Sequence, residues 1–142
     1  MDDAFHLDRF LAAQADMFTI ALGELQRGRK TIHWIWFIFP QIAGLGRSST
    51  AQHYALRSLD EARAYLDHPI LGMRLHQCLD ALSSLTSIDA EHVFGALDAM
   101  KFRSSLTLFH AADPADAHVT AALDRWFGGE EDEATLTLLR RA

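Results

Sequence analysis

The sequence predicts an all-α fold, one compact domain over residues 1–142 built from about six to eight mostly short helices. Three observations carry this. Apolar residues recur at three- and four-residue spacing along most of the chain. Helix-start signals punctuate it: Ser58 with Glu61, Pro69, Asp89, Asp113 with Pro114, and Asp132. Only one stretch, Ile32 to Phe39, is rich in aromatic and β-branched residues, and no second run is present to pair with it. At 142 residues and 49% hydrophobic, the chain can close a core without disulfides or metals.

Taken in order, Asp8 to about Gln26 reads as the first helix. Phe10, Leu11, Met17, Phe18, Ala21, Leu22 and Leu25 form its apolar face, and Gly28 stops it. Ile32 to Phe39 has strand propensity, but a lone buried strand leaves its N–H and C=O groups unpaired. A helix satisfies them internally, so helix is expected up to Pro40. Ala51 to Arg57 is helical behind a Gly44–Thr50 loop. Ser58 and Glu61 form a capping box for a helix through about Asp67. Pro69 then opens a helix whose stripe is Leu71, Leu75, Cys78, Leu79, Leu82 and Leu85. Asp89 caps a short turn ending at Phe94-Gly95, followed by a longer helix from about Asp98 to Ala112. Asp113-Pro114 reads as cap and first residue of a helix through Phe127, which Gly128-Gly129 stops. Asp132 caps the last helix, through Leu139.

Composition excludes several function classes. Thirteen Lys+Arg against nineteen Asp+Glu give a net charge of −6, unsuited to gripping nucleic acid through its phosphates. The longest apolar run, Trp34 to Phe39, is far shorter than a membrane span. The start at Met1-Asp2-Asp3 lacks the basic residues of an export signal, and the Arg-Arg-Ala end carries no lipidation box. The single Cys78 forms no internal disulfide, so a reducing, cytoplasmic setting is expected, with no membrane partner. The eight histidines show no metal-binding spacing, and no metal or cofactor is expected.

The distribution of acids is uneven. The 35 residues between Glu24 and Asp60 hold no Asp or Glu, but five cations: Arg27, Arg29, Lys30, Arg47 and Arg57. A local positive field in an acidic protein suits a small anion. Within it lies Gly44-Leu45-Gly46-Arg47-Ser48-Ser49-Thr50, ahead of a helix whose free N–H groups favour anions. The same residues read equally as a loop with Ser48 or Ser49 as a plain N-cap. His33-Trp34-Ile35-Trp36-Phe37-Ile38-Phe39-Pro40-Gln41 offers an aromatic wall to a flat ligand, or simply two well-packed core tryptophans. Lys101, Ser104 and Ser105 share a helical face, the arrangement of a nucleophile and its base, or of a solvated lysine with two small residues. Arg103 adds a second cation to that segment. Cys78 lies within a leucine stripe and reads as inert core.

These segments, together with Tyr54-Ala55, His68-Pro69-Ile70-Leu71-Gly72, Phe94-Gly95 and Lys101 to Phe109, give the chain a family likeness. It resembles a bacterial family of small domains of unknown function, often mislabelled "calpastatin-like", whose mark is the His-Trp-x-Trp-Phe-x-Phe-Pro-Gln run. The usual pattern has Leu at Phe102 and Met at Leu106, both apolar exchanges. The resemblance implies an all-helical orthogonal array and supports helix over Trp34–Phe39. It implies no activity.

The reading that follows is an uncharacterised domain binding a small anionic metabolite, nucleotide-derived ones included. Its pocket is expected from His33, Trp34, Gln41, Arg47, Ser48, Lys101, Arg103 and Ser104. Trp34 would stack on the ligand, Arg47, Lys101 and Arg103 would hold the anion, and His33 is the candidate acid–base group. The alternative is a protein-interaction or structural helical domain without a catalytic site. The reading further expects the Arg47 and Lys101 segments to converge in space.

Overall fold

The first helix, α1 (Asp8–Arg27), ends as its sequence requires. Gly28 turns left-handed at φ 76°, its N–H reaching Leu25 O at 3.1 Å while Arg29 N–H reaches back to Glu24 O at 3.0 Å. This crossed pair satisfies two carbonyls that the helix end would otherwise leave open. The computed structural model describes residues 3–86 and 89–141. Met1, Asp2 and Ala142, on which the export and lipidation readings partly rest, lie outside the described residues.

Eight more helices follow among the described residues: α2 (Ile35–Ile38), α3 (Ser49–Tyr54), α4 (Leu59–Asp67), α5 (Leu71–Ser83), α6 (Ala90–Phe94), α7 (Ala96–Ala112), α8 (Ala117–Phe127) and α9 (Glu133–Arg141). Among the described residues the fold is all-α, with nine helices rather than six to eight, six of them seven residues or longer.

Helix α7 is the hub. It packs on α2, α4, α6, α8 and α9, while α5 joins α1, α4 and α8. Every residue from Ser104 to Phe109 is buried, so this stretch has no solvent face at all. That is the pattern of a helix surrounded by others, and it explains why a single apolar stripe describes α7 poorly. Aromatic contacts fill the space around it. Phe102 lies 4.7 Å from Phe94 and 4.8 Å from Phe39, ring centre to ring centre, and Tyr65 lies 5.3 Å from Phe109. The Tyr65 hydroxyl accepts a hydrogen bond from Gln14 Nε2 at 3.0 Å, and burial drives its pKa upward.

Several boundaries differ from the sequence reading: α5 begins at Leu71, with Pro69 in the turn before it, α7 starts two residues early and α9 ends two residues late. The Trp34–Phe39 helix is one turn, Ile35–Ile38, ending where Phe39 leaves helical geometry at φ −126° and ψ 76°. Beyond Pro40 the chain is extended and finds a partner after all. Leu56 N donates to Gln41 O and Ala43 N to Leu56 O, both at 2.8 Å, around a single parallel bridge between Ile42 and Leu56. The helix expected at Ala51–Arg57 is therefore Ser49–Tyr54, because Ala55 and Leu56 are drawn into that bridge. Helix α8 starts at Ala117, not after Pro114. Asp116 caps it by accepting from Val119 N at 3.2 Å, while Asp113 accepts from Ala115 N in the preceding turn.

Candidate functional site

The Gln41–Gly46 loop meets α7, whereas Arg47, Ser48 and Ser49 line no part of the cleft between them. The loop after Pro40 supplies Gln41, Leu45 and Gly46 to one wall of a cleft of about 230 Å³. Helix α7 supplies Leu97, Met100, Lys101 and Ser104 to the other, and Asp132 and Ala134 close the end. Local sequence explains the loop wall. Gly44 adopts φ 105°, and a Cβ at Gly46 would lie 2.4 Å from that of Ala51, so glycine lets the loop close on α3. Asp132 is fixed as the cap of α9, accepting from Thr135 N at 3.0 Å and from Thr135 Oγ1 at 2.7 Å.

Lys101, the cation in the cleft wall, belongs to a trio, and the Asp132 carboxylate stands in the same wall. Asp98 Oδ2 lies 2.6 Å from Lys30 Nζ, and Asp98 Oδ1 lies 3.2 Å from Lys101 Nζ. Burial pushes the Asp98 pKa up, but the hydrogen bonds and charges of the two lysines outweigh it and hold the pKa low. One carboxylate thus serves two ammonium groups, and one positive charge is left over. The Lys30 side chain is 5% exposed and that of Lys101 30%, so the surplus is presented at Lys101. The Lys101 ammonium also lies 5.2 Å from the centre of the Trp36 ring, a cation–π contact.

The remaining predicted residues take other places. Trp34 is fully buried and offers no surface for stacking. Its Nε1 donates to Glu24 Oε1 at 2.8 Å, and Lys30 Nζ sits 5.0 Å from its ring centre. Trp36, half-buried, is the tryptophan beside Lys101, with the exposed His33 ring 6.5 Å away. Arg103 turns away from the cleft: its Nε donates to Glu130 O at 2.8 Å, and a terminal nitrogen pairs with the Glu130 carboxylate at 3.4 Å. Ser48 is the N-cap of α3, accepting from Ala51 N at 3.1 Å. Arg47 is exposed and, like Ser48, stands outside the cleft walls.

Ser104 is buried and its hydroxyl donates to Met100 O at 3.0 Å. With Lys101 held by Asp98, the two do not form a nucleophile and base. Cys78 is buried, and burial pushes its thiol up to about 12, which fits inert core. The sequence does not single out Trp36, Leu97, Met100 or Asp132 as site residues. Only Trp36 carried a signal, sharing a helical face with His33 at i, i+3.

Comparison with known proteins gives a family but no chemistry. The family model described as "Protein of unknown function (DUF1810)" matches residues 4–139. Among solved structures, the conserved hypothetical protein Rv1873 from Mycobacterium tuberculosis is similar, with a TM-score of 0.94 and 44% identity over 97% of this chain and 99% of that one. None of the curated proteins matches.

Proposed function

The chain belongs to the DUF1810 family of proteins of unknown function, and on that premise we propose that it is a binding domain for a small anionic metabolite held between the Gln41–Gly46 loop and α7. The observation that carries the reading is the surplus charge of the Lys30–Asp98–Lys101 trio, turned toward a cleft that the Gln41 segment also lines. Lys101 is the anion-binding group, and Gln41 adds an amide. Arg47 stands outside the cleft walls but directly follows Gly46 and is exposed, so its guanidinium is assigned to the part of a ligand that extends beyond the loop wall. Asp132 in the same wall favours a ligand that carries a hydrogen-bond donor beside its anionic group, as nucleotide-derived metabolites do. At about 230 Å³ the cleft is below the 300–1,000 Å³ of drug-sized pockets, which restricts it to small molecules. His33 lies outside these walls and is given no step.

A thermal-shift screen against nucleotides and phosphorylated metabolites tests the reading. A ligand at a hundred times its Kd stabilises the folded state by about 2.7 kcal/mol. The expected hit raises the melting temperature of the wild type and not that of Lys101→Met. Equal shifts in both would remove Lys101, and with it this site, from the account.

The alternative interaction-domain reading also has an observation behind it. Leu97 and Met100, 75% and 64% exposed, stand on the cleft rim and offer apolar surface to a partner. A protein partner whose binding is lost in Leu97→Ser but kept in Lys101→Met would favour it.

A further inference from the structure

The face shared by α5 and α8 carries a larger cleft, about 380 Å³, remote in sequence from the segments discussed above. On α8, His118, Ala121, Ala122 and Arg125 stand at i, i+3, i+4 and i+7, one face of the helix, and Leu79, Asp80 and Ser83 of α5 face them. The two ends differ in chemistry. At one, Asp80 Oδ1 lies 2.9 Å from His118 Nδ1, and the His118 ring stacks on His76 at 4.0 Å. His76 in turn is held by Asp116 at 2.7 Å. Asp80 and His118 line this end of the cleft, with His76 and Asp116 behind them. At the other end is Arg125, which spends one terminal nitrogen on Leu85 O and makes no ion pair among the described residues. Between them the walls include Leu79, Ala121, Ala122 and Trp126.

His118 and Arg125 are seven residues apart on one helix, so their Cα atoms are separated by about 10 Å along its axis. The cleft is thus a trough with an acceptor-rich, acidic end, an apolar middle and a cationic end. A molecule of one charge sign meets a favourable group at one end and a like charge at the other. A molecule with an ammonium and a carboxylate separated by an apolar chain meets complementary groups at both. We propose that the α5–α8 cleft is a binding site for a small ω-amino carboxylate. Its ammonium lies against Asp80, whose second oxygen is not used by His118, its chain lies on Ala121, Ala122 and Trp126, and its carboxylate lies against Arg125. The site shares no lining residue with the anion cleft, and neither proposal depends on the other.

The probe is 6-aminohexanoate, followed by backbone amide NMR, with hexanoate and hexylamine as single-charge controls. The expected result is saturable shifts confined to 79–83 and 117–126. Each control should bind about tenfold more weakly, the equivalent of about 1.4 kcal/mol for one charge-assisted contact. Arg125→Gln should weaken the probe by a similar factor. Because Arg125 also holds Leu85 O, a second variant is needed: Ala121→Phe, at an exposed position, fills the trough without touching that bond and should abolish the shifts at an unchanged melting temperature. Absence of saturable shifts, controls that bind as well as the zwitterion, or Ala121→Phe binding like wild type would each overturn the proposal.

Discussion

Replacing Glu24 by glutamine removes a charge that the core is built around. Glu24 is almost wholly buried, yet four donors converge on its carboxylate. Thr31 N, Ile32 N and Trp34 Nε1 reach Oε1 at 2.9, 3.2 and 2.8 Å, and Thr31 Oγ1 reaches Oε2 at 2.6 Å. Burial alone would push its pKa up; the hydrogen bonds of Thr31, Trp34 and Ile32 outweigh burial and bring it from 4.5 down to about 2. A folded-state pKa below the unfolded one means stability that is complete above pH 4.5 and is lost as pH falls toward 2. The size of the shift corresponds to about 3 kcal/mol. Glutamine keeps the shape and one acceptor oxygen but loses the charge that strengthens all four bonds. Glu24→Gln should therefore cost about 2–3 kcal/mol at neutral pH. The assay is urea unfolding followed by tryptophan fluorescence, run at pH 7 and pH 3. The gap between wild type and variant should shrink by about 2 kcal/mol between the two, since most of the wild type's extra stability is titrated away by then. A gap below about 0.5 kcal/mol at pH 7, or one that is the same at both pH values, would refute the reasoning.

Other outcomes follow from the same packing. Gly72→Ala places a Cβ 2.0 Å from Leu66 O, a backbone atom that cannot step aside, and should cost about 2–3 kcal/mol by denaturant unfolding. Asp98→Asn leaves the buried Lys30 ammonium without its counter-charge and should cost about 3 kcal/mol, whereas Lys101→Met should change stability little. The contribution of Asp98 is present at neutral pH and lost as pH falls below the usual carboxylate range, because its folded-state pKa is lowered. Cys78 should react with a thiol reagent only as fast as the protein unfolds, and labelling at the rate of free cysteine would place it on the surface.

What could be read in the sequence was what is local. Ser58 accepts from Glu61 N at 3.1 Å, Asp132 caps α9 and Gly28 ends α1, all within a few residues of one another. The capping box is nevertheless half of what spacing suggests, because Glu61 accepts from Arg57 N and pairs with Arg9 at 2.9 Å. Asp113 misled because Asp116 follows three residues later, and either can cap a helix; the turn at Pro114 gives the role to Asp116. The exchange of Trp34 for Trp36 has a different cause. A single helical turn has no long apolar face to orient it, so the choice of which indole is buried falls to Glu24, ten residues away. Charge compensation divides the same way. Asp98 stands three residues before Lys101, a spacing that places them together on a helix, whereas Glu130 reaches Arg103 only through the tertiary fold.

The measurement that bears most directly on the anion-binding account is a crystal structure of the protein soaked with the best ligand from the thermal-shift screen. The account predicts electron density between Gln41 and α7, with the anionic group at hydrogen-bond distance from Lys101 Nζ and a donor turned toward Asp132. Density elsewhere on the molecule, with the Gln41–Lys101 cleft filled only by solvent, would contradict it.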